Sequence, residues 1–104
     1  TVWLSRLFLA DPHLESEDEE LWHESERKIL DAVSALFGAA RQAERFIVVS
    51  NEVGMGLVPT NRMGRRFRDL QGRANQLAAS KAETAALVVA GLPLLLKGDL
   101  DDDR

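Results

Sequence analysis

The sequence predicts an α/β fold in which a parallel sheet is flanked by helices. Two long segments repeat apolar residues at helical spacing, two short segments are rich in β-formers, and they follow one another as helix, strand, loop, helix, strand. That order is a βαβ crossover with a helix before it, and such a crossover lays its strands parallel. At 104 residues, 45% hydrophobic and 29% charged, the composition is that of one small globular domain. No repeat and no internal boundary divides residues 1–104.

Thr1 to Ala10 is mostly apolar and reads as the end of a strand passing into a helix. Asp11-Pro12-His13 breaks it, because proline cannot continue a helix. Ser16 and Glu19 have capping-box spacing, and the acids around them suit the positive end of a helix dipole. Leu21, Trp22, Ile29, Leu30, Val33, Leu36, Phe37 and Ala40 then recur at helical spacing, which predicts an amphipathic helix over 16–43, with Gly38 a weak interruption. Phe46-Ile47-Val48-Val49 is continuously apolar, the pattern of a strand covered on both faces. A loop from Asn51 to Asn61 leads to a second stripe, Met63, Phe67, Leu70, Ala74, Leu77 and Ala78, and so to a helix over 62–82. Ala85–Ala90 reads as a second strand, and Gly91 allows a sharp bend. Leu92–Leu96 is either a third strand antiparallel to it or its bent continuation, and 97–104 is expected to be a solvated tail.

The bulk properties exclude several classes. With no cysteine there is no disulfide framework, zinc-thiolate site or thiol nucleophile, which fits a cytoplasmic protein. The longest apolar run, Ala85–Leu96, is too short and too broken by Gly91 and Pro93 to span a bilayer, and no signal-peptide pattern is present. The chain opens on Thr1-Val2-Trp3-Leu4 rather than on methionine, and reads as a fragment. The net charge of −4 hides an asymmetry. Eight acids and no Lys or Arg lie between Asp11 and Glu26, whereas eight bases face three acids between Arg41 and Lys81. A basic middle between acidic ends suggests a local anion site rather than a nucleic-acid surface, and the absence of Tyr removes most of the stacking faces that single strands need.

In parallel sheets ligands gather at the carboxyl ends of strands, which is where Asn51 and Glu52 fall. Gly54 and Gly56 follow, and they fit either a close backbone approach to a ligand or a plain turn. There is no third glycine of a dinucleotide fingerprint, and no Gly-x-x-x-x-Gly-Lys-Ser/Thr loop in the 104 residues. Glu52 can hold a metal-bound water, accept from a base or ribose, or pair with Arg65, Arg66 or Arg73. Arg66 and Arg73 are seven residues apart and share a helix face with Arg62 nearby, so they either clamp phosphate or form a solvated face with Asp69. Asn75 and Gln76 cap, read a polar ligand or face solvent. His13 and His23 lie in the acidic segment, where a metal pair competes with a solvated helix start, and no histidine lies near the loop. Trp3 and Trp22 fit core or subunit contacts better than stacking platforms.

Val49-Ser50-Asn51-Glu52-Val53-Gly54-Met55-Gly56-Leu57-Val58-Pro59, with Arg65-Arg66-Phe67-Arg68-Asp69, Gly72-Arg73-Ala74-Asn75-Gln76 and Val88-Val89-Ala90-Gly91-Leu92-Pro93-Leu94, resembles the C-terminal half of the bifunctional adenosylcobinamide kinase / adenosylcobinamide-phosphate guanylyltransferase family of cobalamin biosynthesis. The resemblance runs from Thr1 to about Lys97 and is most specific between Val49 and Gln76. It implies a P-loop, RecA-like nucleotide-binding fold, usually a cytoplasmic trimer, with GTP, ATP and Mg²⁺ as cofactors. It implies two reactions: phosphorylation of adenosylcobinamide, then GMP transfer from GTP to that phosphate through a guanylylated histidine. The family's phosphate loop and histidine lie in an N-terminal half that these residues do not contain, and neither His13 nor His23 occupies that motif. By position the resemblance makes Thr1, Asn51, Glu52, Gly54 and Gly56 nucleotide-binding and gives Arg66 and Arg73 phosphate or subunit contacts. The chain alone is expected to be inactive, since both transfers need the phosphate cradle. The competing expectation is a non-catalytic oligomerisation module on the same fold.

Overall fold

Apolar stripes at helical spacing fold into three helices around one core, followed by a hairpin. The computed structural model describes residues 2–54, 56 and 59–99, as α1 (Val2–Leu9), α2 (Glu19–Ala40), α3 (Arg62–Lys81), β1 (Ala85–Val89) and β2 (Leu92–Lys97). The first segment is helical from Val2 rather than strand-like, because Leu4 and Phe8, one turn apart, both reach the core. α2 begins at Glu19, later than the capping-box spacing suggested. Asp18 is the N-cap and its carboxylate accepts the Glu20 amide at 2.9 Å, while the Ser16 hydroxyl accepts the Asp18 amide at 3.0 Å. Turns at Arg41–Ala43 end the helix. α3 starts where Asn61 caps the Gly64 amide at 2.6 Å.

The core consists of Leu4, Phe8, Trp22, Ile29, Val33, Leu70 and Ala74, with Leu14, Phe37, Phe67 and Leu77 packed around it. Phe8 meets Trp22 and Phe67 edge-on, at centroid distances of 5.6 and 5.1 Å. Trp22 is therefore a core residue, whereas Trp3 stays half-exposed.

Among the described residues the expected parallel sheet is not formed, and β1 pairs with β2 alone, antiparallel, with Val89 opposite Leu92. The two turn residues, Ala90 (φ 54°) and Gly91 (φ 78°), both take the left-handed region that a type I′ hairpin requires. Phe46–Val49, expected as a covered strand, runs extended with no ladder partner among the described residues. Ile47 is 75% and Val49 83% exposed. A strand is stabilised by its neighbour's hydrogen bonds and by cover on its faces, and β propensity alone supplies neither. Lys97, grouped by sequence with the tail, ends β2 and donates to the Ala79 and Ser80 carbonyls at 3.0 and 3.2 Å, closing the C-terminus of α3. The molecule exposes 7572 Å², more than the roughly 5,800 Å² of a compact monomer of this mass.

Leu70 is wholly excluded from solvent at the centre of this core. Leu70→Ala is expected to lower the unfolding free energy by about 3 kcal/mol, read by denaturant titration.

Candidate functional site

The loop after Phe46–Val49 is held by one face of α3. Arg65, Arg68, Gln71 and Asn75 succeed one another at steps of three or four residues, so they lie along a single stripe. Arg65 Nη1 donates to the Thr60 carbonyl at 2.9 Å, and Arg68 Nη2 donates to the Gly54 carbonyl. Gln71 Nε2 donates to Ser50 Oγ at 2.9 Å and to Asn75 Oδ1 at 3.0 Å. Ser50 Oγ donates to Asn75 Oδ1 at 2.6 Å, and Asn75 Nδ2 donates to the Asn51 carbonyl at 2.8 Å. Both ends of the loop are thereby fastened to one helix.

Gln71 is 2% exposed, and its Oε1 has no partner among the described residues. A buried acceptor left so costs about 1–3 kcal/mol. The asymmetry of this side chain, donor bonded and acceptor not, is unusual in a protein interior.

Of the residues singled out by sequence, Asn51, Glu52 and Gly54 meet here and the two arginines do not. Glu52 is exposed, and its Oε1 accepts the Gly54 amide within its own turn rather than an arginine. A Cβ at Gly54 would stand 2.9 Å from that oxygen, so glycine leaves room for the carboxylate to fold over; at Gly56 a Cβ would meet open space. Thr1 lies outside the described residues, as do Met55, Leu57 and Val58.

Arg66 and Arg73 face α2 instead. Arg66 is buried; it donates to Glu19 Oε2 and to the Leu14 carbonyl, each at 2.9 Å, and its guanidinium lies 5.3 Å from the Trp22 ring centre. Arg73 Nη1 lies 2.5 Å from both oxygens of Glu26, a carboxylate only 7% exposed. His23 Nδ1 stands 3.6 Å from the same carboxylate, and the His13 amide donates to Asp11. Among the described residues no three His, Asp or Glu side chains converge as a metal site.

The sequence leaves Asn75 as a cap, a ligand contact or a solvent-facing residue, and gives Gln71, Arg68 and Ser50 no role of their own. Their signal was the 65–68–71–75 spacing, polar residues recurring beside an apolar stripe. Glu19 falls among acids expected at a solvated helix start and Glu26 carries no expected role, yet their seven-residue spacing matches that of Arg66 and Arg73.

Three helices around one core followed by a hairpin, with the loop after an extended segment fastened along a helix face, define an α/β protein whose candidate site is a braced loop. The chain belongs to the cobinamide kinase / cobinamide phosphate guanyltransferase family (CobU), whose model matches residues 1–96. It is 42% identical to the bifunctional adenosylcobalamin biosynthesis protein CobU of Salmonella typhimurium over 77% of this chain and 46% of that protein. It is 38% identical to CobP, of the same description, from Pseudomonas aeruginosa, over 95% of this chain and 50% of that protein. Escherichia coli CobU is 38% identical over 77% of this chain and 45% of its own length. The chain thus spans about half the length of these curated relatives.

Removing Arg73 strands the Glu26 carboxylate in the α2–α3 contact. Arg73→Ala is expected to lower stability by roughly 2 kcal/mol, less than a wholly buried pair because Arg73 is half-exposed. Glu26→Gln leaves a neutral acceptor there and should cost less in the same thermal melts.

Proposed function

We propose that this chain supplies the C-terminal part of a bifunctional enzyme of cobalamin biosynthesis. In that reading a nucleoside triphosphate, ATP or GTP, gives its γ-phosphoryl group to the hydroxyl of adenosylcobinamide. GTP then transfers GMP to the resulting phosphate, releasing pyrophosphate and giving adenosylcobinamide-GDP. The observation that carries the reading is the match over residues 1–96 to a family named for both activities. The braced loop supports it, because a loop fixed before ligand arrives spends little binding energy on ordering.

Within that reading the loop backbone and Asn51 shape the nucleotide cleft. Glu52 offers its exposed carboxylate to a polar ligand group. Arg66 and Arg73 brace α3 rather than bind phosphate, since Glu19 and Glu26 already engage them. Among the described residues no three His, Asp or Glu side chains gather to hold a metal ion. The phosphate cradle, the guanylylated histidine and the metal ligands are therefore assigned to a second polypeptide segment, and Phe46–Val49 to a parallel sheet completed by it. The assembled enzyme is a homo-oligomer, a trimer, working in the cytoplasm. No helix among the described residues is long and apolar enough to cross a membrane.

A second reading, a non-catalytic assembly module, is favoured by the exposed apolar surface. Val48 and Val49 line an apolar groove of about 70 Å³ with Trp3, Leu36 and Phe37, Ile47 beside them is exposed, and the hairpin exposes Leu92, Leu94 and Leu96.

The two readings separate when the chain is co-expressed with the half of the Salmonella relative that the match does not span. GMP transfer from GTP to adenosylcobinamide phosphate is expected from the pair and from neither part alone. A stable complex without transfer favours the assembly module, and failure to associate overturns both. Tight GTP binding by the chain alone would contradict the placement of the phosphate cradle elsewhere.

A further inference from the structure

We propose that Gln71 and Asn75 are positioning residues which, with Arg68, fix the conformation of Ser50–Gly54 and so the place of the Glu52 carboxylate. The bonds form a closed chain. Gln71 Nε2 reaches both Ser50 Oγ and Asn75 Oδ1, Ser50 Oγ reaches the same Asn75 oxygen, and Asn75 Nδ2 reaches the Asn51 carbonyl. One turn earlier Arg68 holds the Gly54 carbonyl. The segment is thus gripped on both sides of Glu52. Among the described residues the Glu52 side chain bonds within its own turn, to the Gly54 amide, and not to the helix.

Packing does not account for Gln71. The neighbouring core positions of α3 are Leu70 and Ala74, and a leucine at 71 would occupy similar volume without burying an amide whose Oε1 finds no partner among the described residues. What the amide adds is a pair of directed N–H bonds, one to the chain entering the loop and one that orients Asn75. Because Gln71 is buried, those bonds compete with little water and hold their geometry. Asn75 is the relay: its oxygen collects two donors from within the protein and its nitrogen is left pointing at the Asn51 carbonyl. This assignment rests on the proposed transfer reaction for its use, but not for its geometry.

The test compares Gln71→Leu, Asn75→Ala and a control, Gln76→Leu, at an exposed neighbour. In the chain itself, amide hydrogen exchange at residues 51–54 is expected to rise on the order of tenfold in the first two variants only, with exchange in α2 unchanged. Gln71→Leu should keep its melting midpoint within about 2 °C. Unchanged exchange at 51–54, or a rise spread evenly over all three helices, would mean that Gln71 merely fills the core and would overturn the proposal. In the complex of this chain with the complementary half, kcat for GMP transfer should fall on the order of tenfold in both variants while the complex still forms. Full kcat beside faster loop exchange would overturn the role in transfer. If the unsubstituted complex transfers no GMP, the assigned reaction fails while loop exchange still decides the positioning claim.

Discussion

The seating of α3 on α2 is the constraint from which the rest of the molecule follows. Leu70 and Ala74 enter the core between two ion pairs, Arg66 with Glu19 and Arg73 with Glu26. The two arginines are seven residues apart on α3 and the two glutamates seven apart on α2, and both series ascend together. The two helices therefore run in the same direction, in a register fixed every two turns, about 10.5 Å. A one-turn slip would break both pairs and leave Glu26, whose carboxylate is enclosed, without its cation.

That register decides what the opposite side of α3 can do. With Leu70 turned to the core, Arg65, Arg68 and Asn75 are turned toward the preceding loop, and Gln71 lies at the border between the two environments. The helix is thus a ruler with two edges, one apolar and ion-paired against α2, the other polar and bonded to residues 50–60. From the acid-rich and base-rich stretches, Glu19 and Glu26 pair with Arg66 and Arg73 across this contact. Their separation along the chain serves helix pairing before it serves any anion.

The apolar surface has the opposite character. Phe46–Val49 and the hairpin present Ile47, Val49, Leu92 and Leu96 to solvent, and the family match covers all of them. Uncovered β-formers with unpaired main chain invite an edge-to-edge partner. Such a partner would supply both the missing ladder bonds and the cover that a continuously apolar strand requires.

By itself the sequence determined the two long helices, since their stripes and breakers are local: the second stripe gave α3 nearly to the residue, and Gly91 supplied the bend that became the hairpin turn. It also determined the family, because the Val49–Gln76 motifs are specific in wording and order. Two things only the tertiary structure decided. One is partner choice: carboxylates remote in sequence, Glu19 and Glu26, took the arginines that spacing alone offered equally to phosphate. The other is cover: four apolar residues at 46–49 have the propensity of a buried strand, but burial is conferred by neighbours, and a propensity cannot say whether they are there. Gln71 belongs with these, since its meaning depends on Ser50, which lies twenty-one residues away in the chain and within one hydrogen bond of it in space.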